Sequence, residues 1–380
     1  MSSSNGMTGL REGMDRRMHI AMYIGSLQRG GAERVMVNLA TYLLQRGWRV
    51  TFVTTFTEEG GYPLPEGAER ILSGLTPEEE GANRLQNIRK RIRKLTGIWE
   101  SLQPDLILSF MHKNNVMALQ TTRHMEIPVV VSVRADPAME FEDPRIRFLM
   151  RLTFPQAAGI VLQTAAAADY FPAGIRKKCT VLPNMLQEAF VDMPVAEKRS
   201  HRVVMVGRLD ENKNQAAVVK AFAQTAEEFP DWTLTLYGDG PDRERLLRLI
   251  RELRQETRVF VPGPVEEVAQ AIADARIFVL YSSQEGMPNA LLEAMSLGLA
   301  CISTDCPVGV PREIIRDAEN GFLVPLNDAD SLLRTLRTLM RDEAVSERVG
   351  RQAVQVRETY APERVCAMWE RYLEEAIDAV

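Results

Sequence analysis

The stretch from Ile277 to Met295, IFVLYSSQEGMPNALLEAM, contains the pattern that decides the fold. An apolar, β-rich run is followed by a polar loop, and the loop leads into an apolar run with helical spacing. Pro288 and Asn289 favour a helix start, with Asn289 as its cap. The segment therefore predicts a strand, a loop and a helix in succession, which is the repeating unit of parallel α/β sheets.

The same alternation runs through the whole chain. A first series of strand-like runs comprises His19–Ile24, Val50–Thr55, Asp105–Phe110, Val129–Val133 and Ile160–Leu162. A second series comprises Val203–Val206, Leu234–Tyr237, Val259–Val261, Ile277–Tyr281 and Cys301–Ser303. Helical patterns lie at Ala32–Gln45, Asn83–Leu102, 214–228, 242–254, 290–297, 330–340 and Pro362–Ile377. Two consecutive series predict an α/β fold of two doubly wound, Rossmann-like domains that face each other across a deep cleft.

We place the first domain at 18–190 and the second at 200–360, with a final helical segment at 362–380. The seam between the domains is Leu186–Ser200, a stretch without a clean period. In open α/β sheets, ligands bind beyond the carboxyl ends of the strands. We therefore expect the functional residues in the loops that follow the strands.

Composition excludes several classes of protein. The chain has 380 residues, of which 45% are hydrophobic and 26% charged, as in ordinary soluble domains. No apolar run is long enough to span a membrane, and no signal peptide is evident. The net charge of −5 argues against binding of nucleic acid. The four cysteines form no CxxC pair and the four histidines are scattered, so we expect a reduced, cytoplasmic protein without a structural zinc site.

The first strand leads into GSLQRGGAE at 25–33, which resembles two phosphate-binding loops and matches neither. The dinucleotide pattern GxGxxG fails at Leu27, and the Walker pattern fails at Gly31 and Ala32. A strand, a Gly-Gly turn at Gly30 and Gly31, and a helix N-terminus remain. This arrangement either lets an anion approach the backbone or is a tight turn with a purely structural role.

The first loop of the second series carries two cations, Arg208 and Lys213, after Gly207. Arginine binds phosphate oxygens with two N–H groups and lysine adds a point charge, so the pair suits a diphosphate. The alternative is a solvated surface pair.

Glu285 lies in the loop of the quoted stretch, and Glu293 lies inside the helix that follows. Carboxylates accept hydrogen bonds from vicinal hydroxyls, and free helix N–H groups suit phosphate. The two glutamates therefore fit a nucleotide-sugar, with the alternative that they only stabilise a surface helix.

The chain has one D-x-D sequence, Asp328-Ala329-Asp330, at the start of a helical pattern. We interpret it as a helix cap and predict neither a catalytic metal nor a cofactor.

The helix predicted at Asn83–Leu102 is basic and amphipathic. Its apolar stripe consists of Leu85, Ile88, Ile92, Leu95, Trp99 and Leu102. Its basic residues are Arg84, Arg89, Lys90, Arg91, Arg93 and Lys94. Such a helix suits anionic lipid or a lipid-linked phosphate, or it packs on its own sheet and leaves a solvated basic face. We expect that the stripe packs inward and the basic face points outward, and that Arg145, Arg147, Phe148, Leu149, Arg151 and Leu152 extend this surface.

His112 and Arg134 each follow a strand of the first series, so both are expected to face the cleft. A lone histidine in such a position is either catalytic or structural.

Taken together and in this order, these motifs resemble those of a known family of enzymes. GGAER at 30–34, VGRL with Lys213 at 206–213, and the Glu285-x7-Glu293 pair resemble the retaining glycosyltransferases of family 4, which have the GT-B architecture. YGDGP at 237–241 and NGFLVP at 320–325 also match this family. The stretches SFMHKNN at 109–115 and VSVRADP at 131–137 resemble the branch that builds bacterial surface polysaccharides or lipid-linked oligosaccharides.

The resemblance implies a role for each matching residue. Arg208 and Lys213 would stabilise the leaving diphosphate, Glu285 would hold the donor sugar, and Glu293 would hold the ribose. The remaining donor contacts would come from Gly30, Gly31, Gly207, Val265, Gly286, Met287, Pro288 and Asn289, with His112 near the sugar. Independently of the resemblance, we assign Arg134 and the six basic residues of the helix predicted at Asn83–Leu102 to the acceptor or membrane side.

The resemblance also implies a retaining, metal-independent transfer and a last helix that crosses back onto the first domain. Its branch favours a UDP-linked hexose or N-acetylhexosamine as donor and a polyprenyl-diphosphate-linked glycan as acceptor. The protein would then be peripheral on the inner face of the cell membrane. Two alternatives stay open, namely a catalytically silent GT-B subunit that supports a partner transferase, and another enzyme on this scaffold such as a nucleotide-sugar epimerase or a glycoside hydrolase.

Overall fold

The computed structural model describes residues 17–307 and 310–379. Within these residues the strands form two separate sheets, one of seven strands and one of six, and all strands are parallel. The prediction of two doubly wound α/β units is confirmed.

The first sheet has the strand order β3-β2-β1-β4-β5-β6-β7. Its strands are β1 (His19–Ile24), β2 (Arg49–Thr54), β3 (Glu69–Leu72), β4 (Leu106–Phe110), β5 (Val129–Ser132), β6 (Gly159–Leu162) and β7 (Cys179–Val181). Its helices are α1 (Gly31–Gln45), α2 (Arg84–Leu102), α3 (His112–Thr121), α4 (Pro137–Glu140), α5 (Pro144–Thr153) and α6 (Ala173–Arg176), with 3₁₀ turns at Phe154–Gln156 and Ala166–Tyr170.

The second sheet has the order β10-β9-β8-β11-β12-β13. Its strands are β8 (Ser200–Val206), β9 (Thr233–Tyr237), β10 (Val259–Gly263), β11 (Ala275–Leu280), β12 (Ala300–Asp305) and β13 (Phe322–Pro325). The helices that follow β7 in the chain are α7 (Glu188–Asp192), α8 (Gln215–Ala223), α9 (Arg243–Glu252), α10 (Val268–Ile272), α11 (Asn289–Ser296), α12 (Val310–Ile314), α13 (Ala329–Arg341), α14 (Glu343–Ala353), α15 (Val356–Thr359) and α16 (Pro362–Asp378).

Each sheet is covered by helices on both faces. In the first unit α1 packs on one face, and α2, α3 and α5 pack on the other. In the second unit α8, α9 and α13 cover one face, and α10, α11 and α12 cover the other. The central strands β1, β4, β5 and β11 are buried along their whole length, because helices cover both faces of each sheet.

The last helix, α16, packs on the first unit although it follows the second unit in sequence. Trp369 is fully buried among residues of β1 and β4, and its ring lies 5.9 Å from that of Phe110. Glu370 accepts a hydrogen bond from the hydroxyl of Tyr42 on α1 at 3.2 Å. The chain therefore passes between the units twice, and the second passage anchors α16 in the core of the first unit.

The sequence analysis missed three edge strands and several helices, among them α14 and the linking helix α7. It did not predict β3, β7 or β13, and α7 lies inside Leu186–Ser200, which was expected to be an irregular seam. The side chains of β3 are exposed or half-buried, so the strand lacks the continuous apolar run on which the prediction relied.

Candidate functional site

The sheet order defines where a ligand is expected in each unit. In both sheets the first strand lies between its successor and a later strand, at β1/β4 and at β8/β11. Clefts for ligands form beyond the carboxyl ends of strands at such reversals. Seven of the predicted site residues follow these four strands: Gly30 and Gly31 after β1, His112 after β4, Gly207, Arg208 and Lys213 after β8, and Glu285 after β11.

The loops that follow β8 and β11 are joined by hydrogen bonds. Asn212 O accepts from Ser283 N at 2.8 Å, and the Asn212 amide pairs with the Gln284 backbone through two bonds of 3.0 Å. Lys213 Nζ then donates to Glu285 Oε1 at 2.5 Å, and the two side chains are 22% and 9% exposed. The predicted diphosphate cation and the predicted sugar carboxylate are therefore one ion pair.

Gly207 and Gly238 allow the ends of β8 and β9 to approach each other closely. Gly238 has φ +137°, and a Cβ on it would lie 1.9 Å from Gly207 O. Arg208 extends from this turn, with a side chain that is 72% exposed and an Nε that lies 3.6 Å from Asp210 Oδ2. Val265 is half-buried in the connection after β10, the edge strand of this sheet. The structure therefore brings Lys213 and Glu285 into contact and leaves Arg208 extended into solvent.

The loop after Glu285 lies directly against the first unit. A Cβ on Gly286 would lie 2.7 Å from Gln163 Oε1 and 2.8 Å from Arg134 O. Met287 N donates to Gln163 Oε1 at 3.1 Å, and Asn184 N donates to Met287 Sδ at 2.9 Å. Glycine is required at position 286 because a side chain there would separate the two units.

Asn289 has a different role from the predicted one. The helix α11 begins at Asn289, but Pro288 is its N-cap, and the Asn289 carboxamide oxygen accepts from Asn184 Nδ2 at 2.8 Å. A Cβ on Gly31 would lie 3.2 Å from Asn289 Nδ2. The side chain thus joins the two units, and the expectation that it caps its own helix is wrong.

Glu293 also crosses between the units. Its Oε1 accepts from Arg34 Nη2 at 2.8 Å and from Gln187 Nε2 at 3.1 Å, and its side chain is 7% exposed. Arg34 lies on α1, and Gln187 directly precedes α7. The carboxylate predicted to hold a ribose is therefore held by the first unit and the linker.

A cleft of about 440 Å³ lies between the units. It is lined by Gly31, Ala32, Glu33, Met111, His112, Arg134, Ala135, Met139, Glu140, Gln163, Asn184, Met287 and Asn289. Residues of both units contribute to it, and its polar groups include an imidazole, a guanidinium, two carboxyls and three carboxamides. Such a mixture suits a hydroxyl-rich ligand, because every hydroxyl both donates and accepts.

Arg134 lies buried in the floor of this cleft. Its guanidinium lies 4.9 Å from the centroid of the Phe110 ring, and it donates to Asn184 Oδ1 and, at 3.4 Å, to Ser132 Oγ. Burial lowers the pKa of Arg134 to about 10. The sequence analysis grouped Arg134 with the acceptor or membrane residues. The burial of its side chain removes it from any membrane-facing surface.

His112 lies opposite a carboxyl that the sequence analysis did not identify. Its Nδ1 lies 3.9 Å from Glu140 Oε2. Burial, with Lys113 nearby, lowers the pKa of His112. Met111, which precedes His112, has a backbone φ of +77°. Residues other than glycine rarely adopt this conformation, and where they do it is often at a functional site.

Glu140 is held by the backbone at the end of β5. Its Oε1 accepts from Arg134 N at 2.7 Å and from Ala135 N at 2.9 Å. Burial raises the pKa of Glu140 to about 7. The carboxyl therefore changes its protonation near neutral pH, while its position is fixed by main-chain donors.

Sequence reasoning thus missed five residues of the site: Arg34, Glu140, Gln163, Asn184 and Gln187. Gln163 directly follows β6, so the strand-end rule that selected His112 also applies to it. Glu140 ends a helix that begins with Asp136 as cap and Pro137 as first residue, a recognisable start signal. The sequence contains no signal that Arg34 would contact Glu293.

The predicted basic helix exists as α2, with Asn83 as its cap, but its apolar stripe is only partly packed. Leu95 and Trp99 are buried in the first unit, whereas Leu85 and Ile88 are 58% and 41% exposed. The expectation of an inward-facing stripe is therefore wrong for the first turns of α2.

The basic residues of α2 differ in their surroundings. Lys90 donates to Glu79 O and Lys94 to Glu79 Oε2, both at 2.7 Å, so these two lysines hold a neighbouring loop. The side chains of Arg84, Arg89, Arg91 and Arg93 are exposed. On α5, which packs beside α3, Phe148 and Leu152 are 61% and 55% exposed. Exposed apolar and basic side chains thus occur together on this face of the first unit.

Two further observations bear on the predictions. Asp328 caps α13, and its carboxylate accepts from Ser331 N at 2.9 Å, as its interpretation as a cap requires. In the part of the chain that the structure describes, no helix combines the length and the apolar character needed to cross a bilayer.

Two family descriptions match the chain, one for each unit. "Glycosyl transferase 4-like domain" matches residues 30–185, and "Glycosyl transferases group 1" matches residues 188–356. Together with the two doubly wound units and the cleft between them, these matches define a glycosyltransferase of the GT-B fold. The chain belongs to the group 1 glycosyltransferases, with a 4-like first domain.

Known proteins similar to this chain include both partial and full-length matches. The exopolysaccharide phosphotransferase of Streptomyces coelicolor is 31% identical over 60% of this chain, which spans only 24% of that protein. The N-acetylgalactosamine-N,N'-diacetylbacillosaminyl-diphospho-undecaprenol 4-alpha-N-acetylgalactosaminyltransferase of Campylobacter jejuni is 26% identical, with 85% of this chain and 90% of that protein aligned. The structure of Anabaena HepE in complex with UDP has a TM-score of 0.79 and 18% identity, covering 94% of this chain and all of HepE.

Proposed function

We propose that the protein transfers a hexose or N-acetylhexosamine from a UDP-linked donor to a polyprenyl-diphosphate-linked glycan, with retention of configuration and without a metal. The observation that carries the donor assignment is the Lys213–Glu285 pair on two joined loops at the β8/β11 reversal. A cation and a carboxylate side by side suit the two parts of a nucleotide-sugar, the diphosphate and the sugar hydroxyls.

In the proposed reaction, negative charge develops on the departing diphosphate. Lys213 and Arg208 are the cations of the first loop of the second unit, and Arg208 is free to swing onto a bound phosphate because its side chain is 72% exposed. Stabilisation of developing charge by fixed groups supplies a large share of enzymatic rate enhancement. Side-chain cations would thus take the part that a metal plays in other transferases, and the departing phosphate would help to deprotonate the acceptor hydroxyl.

Two observations support the choice of substrates. HepE was solved with UDP, and the aligned Campylobacter jejuni enzyme is named for a diphospho-undecaprenol acceptor. The exposed apolar and basic side chains of α2 and α5 suit a peripheral position on an anionic membrane, where such an acceptor would be reached. We propose that this position is the inner face of the cell membrane and that the reaction serves bacterial polysaccharide biosynthesis.

The test is a transfer assay with UDP- and GDP-linked hexoses and N-acetylhexosamines and with undecaprenyl-diphosphate-linked saccharides, run with and without EDTA. We expect transfer from a UDP-linked donor, undiminished by EDTA, with the anomeric configuration of the donor retained in the product by NMR. Transfer only from GDP-sugars, loss of activity in EDTA or inversion would each overturn the corresponding part of the proposal. Binding of UDP without any transfer would favour the silent subunit.

A further inference from the structure

We propose that Glu140 is a positioning residue that sets the tautomer of His112 and thereby decides whether the imidazole donates or accepts a hydrogen bond in the cleft. The inference rests on the proposed function and deepens it, because the family resemblance implies that His112 lies near the donor sugar. Its structural basis is the burial of the two side chains, the short distance between them and the main-chain hydrogen bonds that hold Glu140.

The two side chains face each other through buried atoms that lack other side-chain partners. Within the described part of the chain, neither His112 Nδ1 nor Glu140 Oε2 makes a hydrogen bond of ordinary geometry. The backbone N–H of His112 also faces the Glu140 carboxyl and favours its charged form. They lie 3.9 Å apart, and the Glu140 side chain is 5% exposed. A buried polar atom without a partner is costly, so each atom is the natural partner of the other after a small movement.

Both side chains are held firmly from behind. Glu140 Oε1 is occupied by the backbone N–H groups of Arg134 and Ala135, which leaves Oε2 to face the imidazole. The ring of Phe141 contacts the imidazole edge-on, with ring centroids 6.3 Å apart. The imidazole still lines the cleft and is 26% exposed, so the part of the ring away from the buried Nδ1 is available to a ligand.

The charged groups around the pair are Arg134 at the end of β5, Lys113 on α3, and Glu33 on α1 across the cleft. The second unit contributes the uncharged Met287 and Asn289 to this cleft. Burial raises the pKa of Glu140 to about 7 and lowers that of His112. At neutral pH the imidazole is therefore neutral, and the carboxyl is the group that titrates.

The protonation of Glu140 then fixes the position of the ring proton. As a carboxylate, Glu140 accepts a hydrogen bond from Nδ1–H, and Nε2 carries a lone pair that accepts from a ligand hydroxyl. As a carboxylic acid, Glu140 keeps its proton and donates a hydrogen bond from its O–H to Nδ1, and Nε2–H donates a hydrogen bond to the ligand. One proton gained or lost at Glu140 thus reverses the polarity of His112 without charging it.

The experiment is ¹⁵N NMR on the full chain labelled at histidine, recorded from pH 6 to 9. The chain has four histidines, and the His112→Gln variant assigns His112. We expect the Nδ1 and Nε2 shifts of His112 to report a change of tautomer with a midpoint near pH 7 in the native protein. The change should be absent in Glu140→Gln, whose side chain has a similar shape and does not titrate. The exposed His124 serves as an internal reference, unaffected by the substitution.

A single tautomer across the range in the native protein, or a step that persists in Glu140→Gln, would overturn the inference. Should Glu140→Gln fail to fold, the native titration alone decides, because a His112 without a titrating neighbour shows no such step above its own pKa. A second readout is the turnover rate of the donor as a function of pH. In the native protein this rate should change near pH 7, and in Glu140→Gln that change should be absent. The NMR result needs no substrate, so the inference can fail while UDP transfer is demonstrated, and it can hold while UDP transfer is disproved.

Discussion

Arg34 Nη2 and Glu293 Oε1 lie 2.8 Å apart and join α1 of the first unit to α11 of the second. Both side chains are mostly buried, at 18% and 7% exposure, and Gln187 donates to the same carboxylate oxygen from the linker. The Glu293 carboxylate therefore joins three parts of the molecule: helix α1 of the first unit, helix α11 of the second unit and the linker that contains Gln187. A ligand that donates hydrogen bonds to Glu293 must share the carboxylate with Arg34 or displace Arg34 from it.

Replacement of Arg34 by alanine should destabilise the protein by about 3 kcal/mol, because it leaves the Glu293 carboxylate buried without its cation. The free energy of unfolding in urea measures this effect. The double variant Arg34→Ala/Glu293→Gln should recover part of the loss. The control is Arg316→Ala, whose pair with Glu319 is more than half exposed, and a change within about 0.5 kcal/mol is expected there. A coupling energy near zero for Arg34 and Glu293 would contradict their role as a link between units.

Replacement of Gly286 by alanine should weaken the contact between the units. The new Cβ would lie 2.7 Å from Gln163 Oε1 and 2.8 Å from the fixed Arg134 O, so the loop must move away from the first unit. We expect lower activity and a larger radius of gyration in small-angle X-ray scattering. Gly97→Ala is the matched control, because its Cβ would meet nothing within 4 Å in the middle of α2. That variant should be more stable by about 1 kcal/mol. Unchanged dimensions and activity in Gly286→Ala would show that the close approach is unimportant.

The stability conferred by Glu140 should depend on pH with a defined sign. The pKa of Glu140 is raised from 4.5 to about 7, so the folded protein binds a proton that the unfolded chain releases between these values. Its contribution is complete below pH 4.5 and is lost as the pH rises to about 7. The stability of Glu140→Gln relative to the native protein should therefore rise across this window, by about 3 kcal/mol, and then level off.

The lowered pKa of His112 acts with the opposite sign, since its effect destabilises the fold as the pH falls. It is present in both proteins and largely cancels in the difference. Urea unfolding at closely spaced pH values measures that difference, and a flat curve would contradict the raised pKa of Glu140.

The sequence predicted the buried strands well for a physical reason. The strands β1, β4, β5 and β11 are buried along their whole length, and such strands appear in the sequence as unbroken apolar runs. The edge strands β3 and β7 have partly exposed side chains and lack that run. Turn and helix-start signals then placed Lys213 and Glu285 in strand-end loops, where the structure has them.

The contacts between the two units could not be predicted from the sequence. The sequence pattern predicts Asn289 as a helix cap. In the structure its side chain instead accepts a hydrogen bond from Asn184 of the first unit. Glu293 was expected to face a ligand. In the structure its carboxylate is paired with Arg34, because α1 lies against α11 across the cleft. Such pairs depend on how two separately folded units dock, which local patterns do not encode.

Charge reversal on α2 should weaken binding to anionic membranes. Arg89 and Arg93 are exposed beside the exposed Ile88, so Arg89→Glu/Arg93→Glu removes two attractive charges and adds two repulsive ones. At about 1 kcal/mol for each basic residue near an anionic surface, the partition coefficient should fall at least about tenfold. The control is Arg248→Glu/Arg251→Glu on α9 of the second unit, where both arginines are also exposed. Equal binding of the two variants to phosphatidylglycerol vesicles in sedimentation assays would contradict a membrane-facing α2.

The central claim is that Lys213 and Glu285 form a nucleotide-sugar donor site, and calorimetric titration with UDP tests it most directly. The native protein and the control Lys220→Ala, altered at an exposed lysine on the helix that follows Lys213, should bind UDP equally. Lys213→Ala should bind UDP at least about tenfold more weakly, because it loses a charge-assisted hydrogen bond to phosphate. Circular dichroism should show that all three proteins are folded. Equal affinity of Lys213→Ala and the native protein for UDP, or no binding of UDP by either, would contradict the claim.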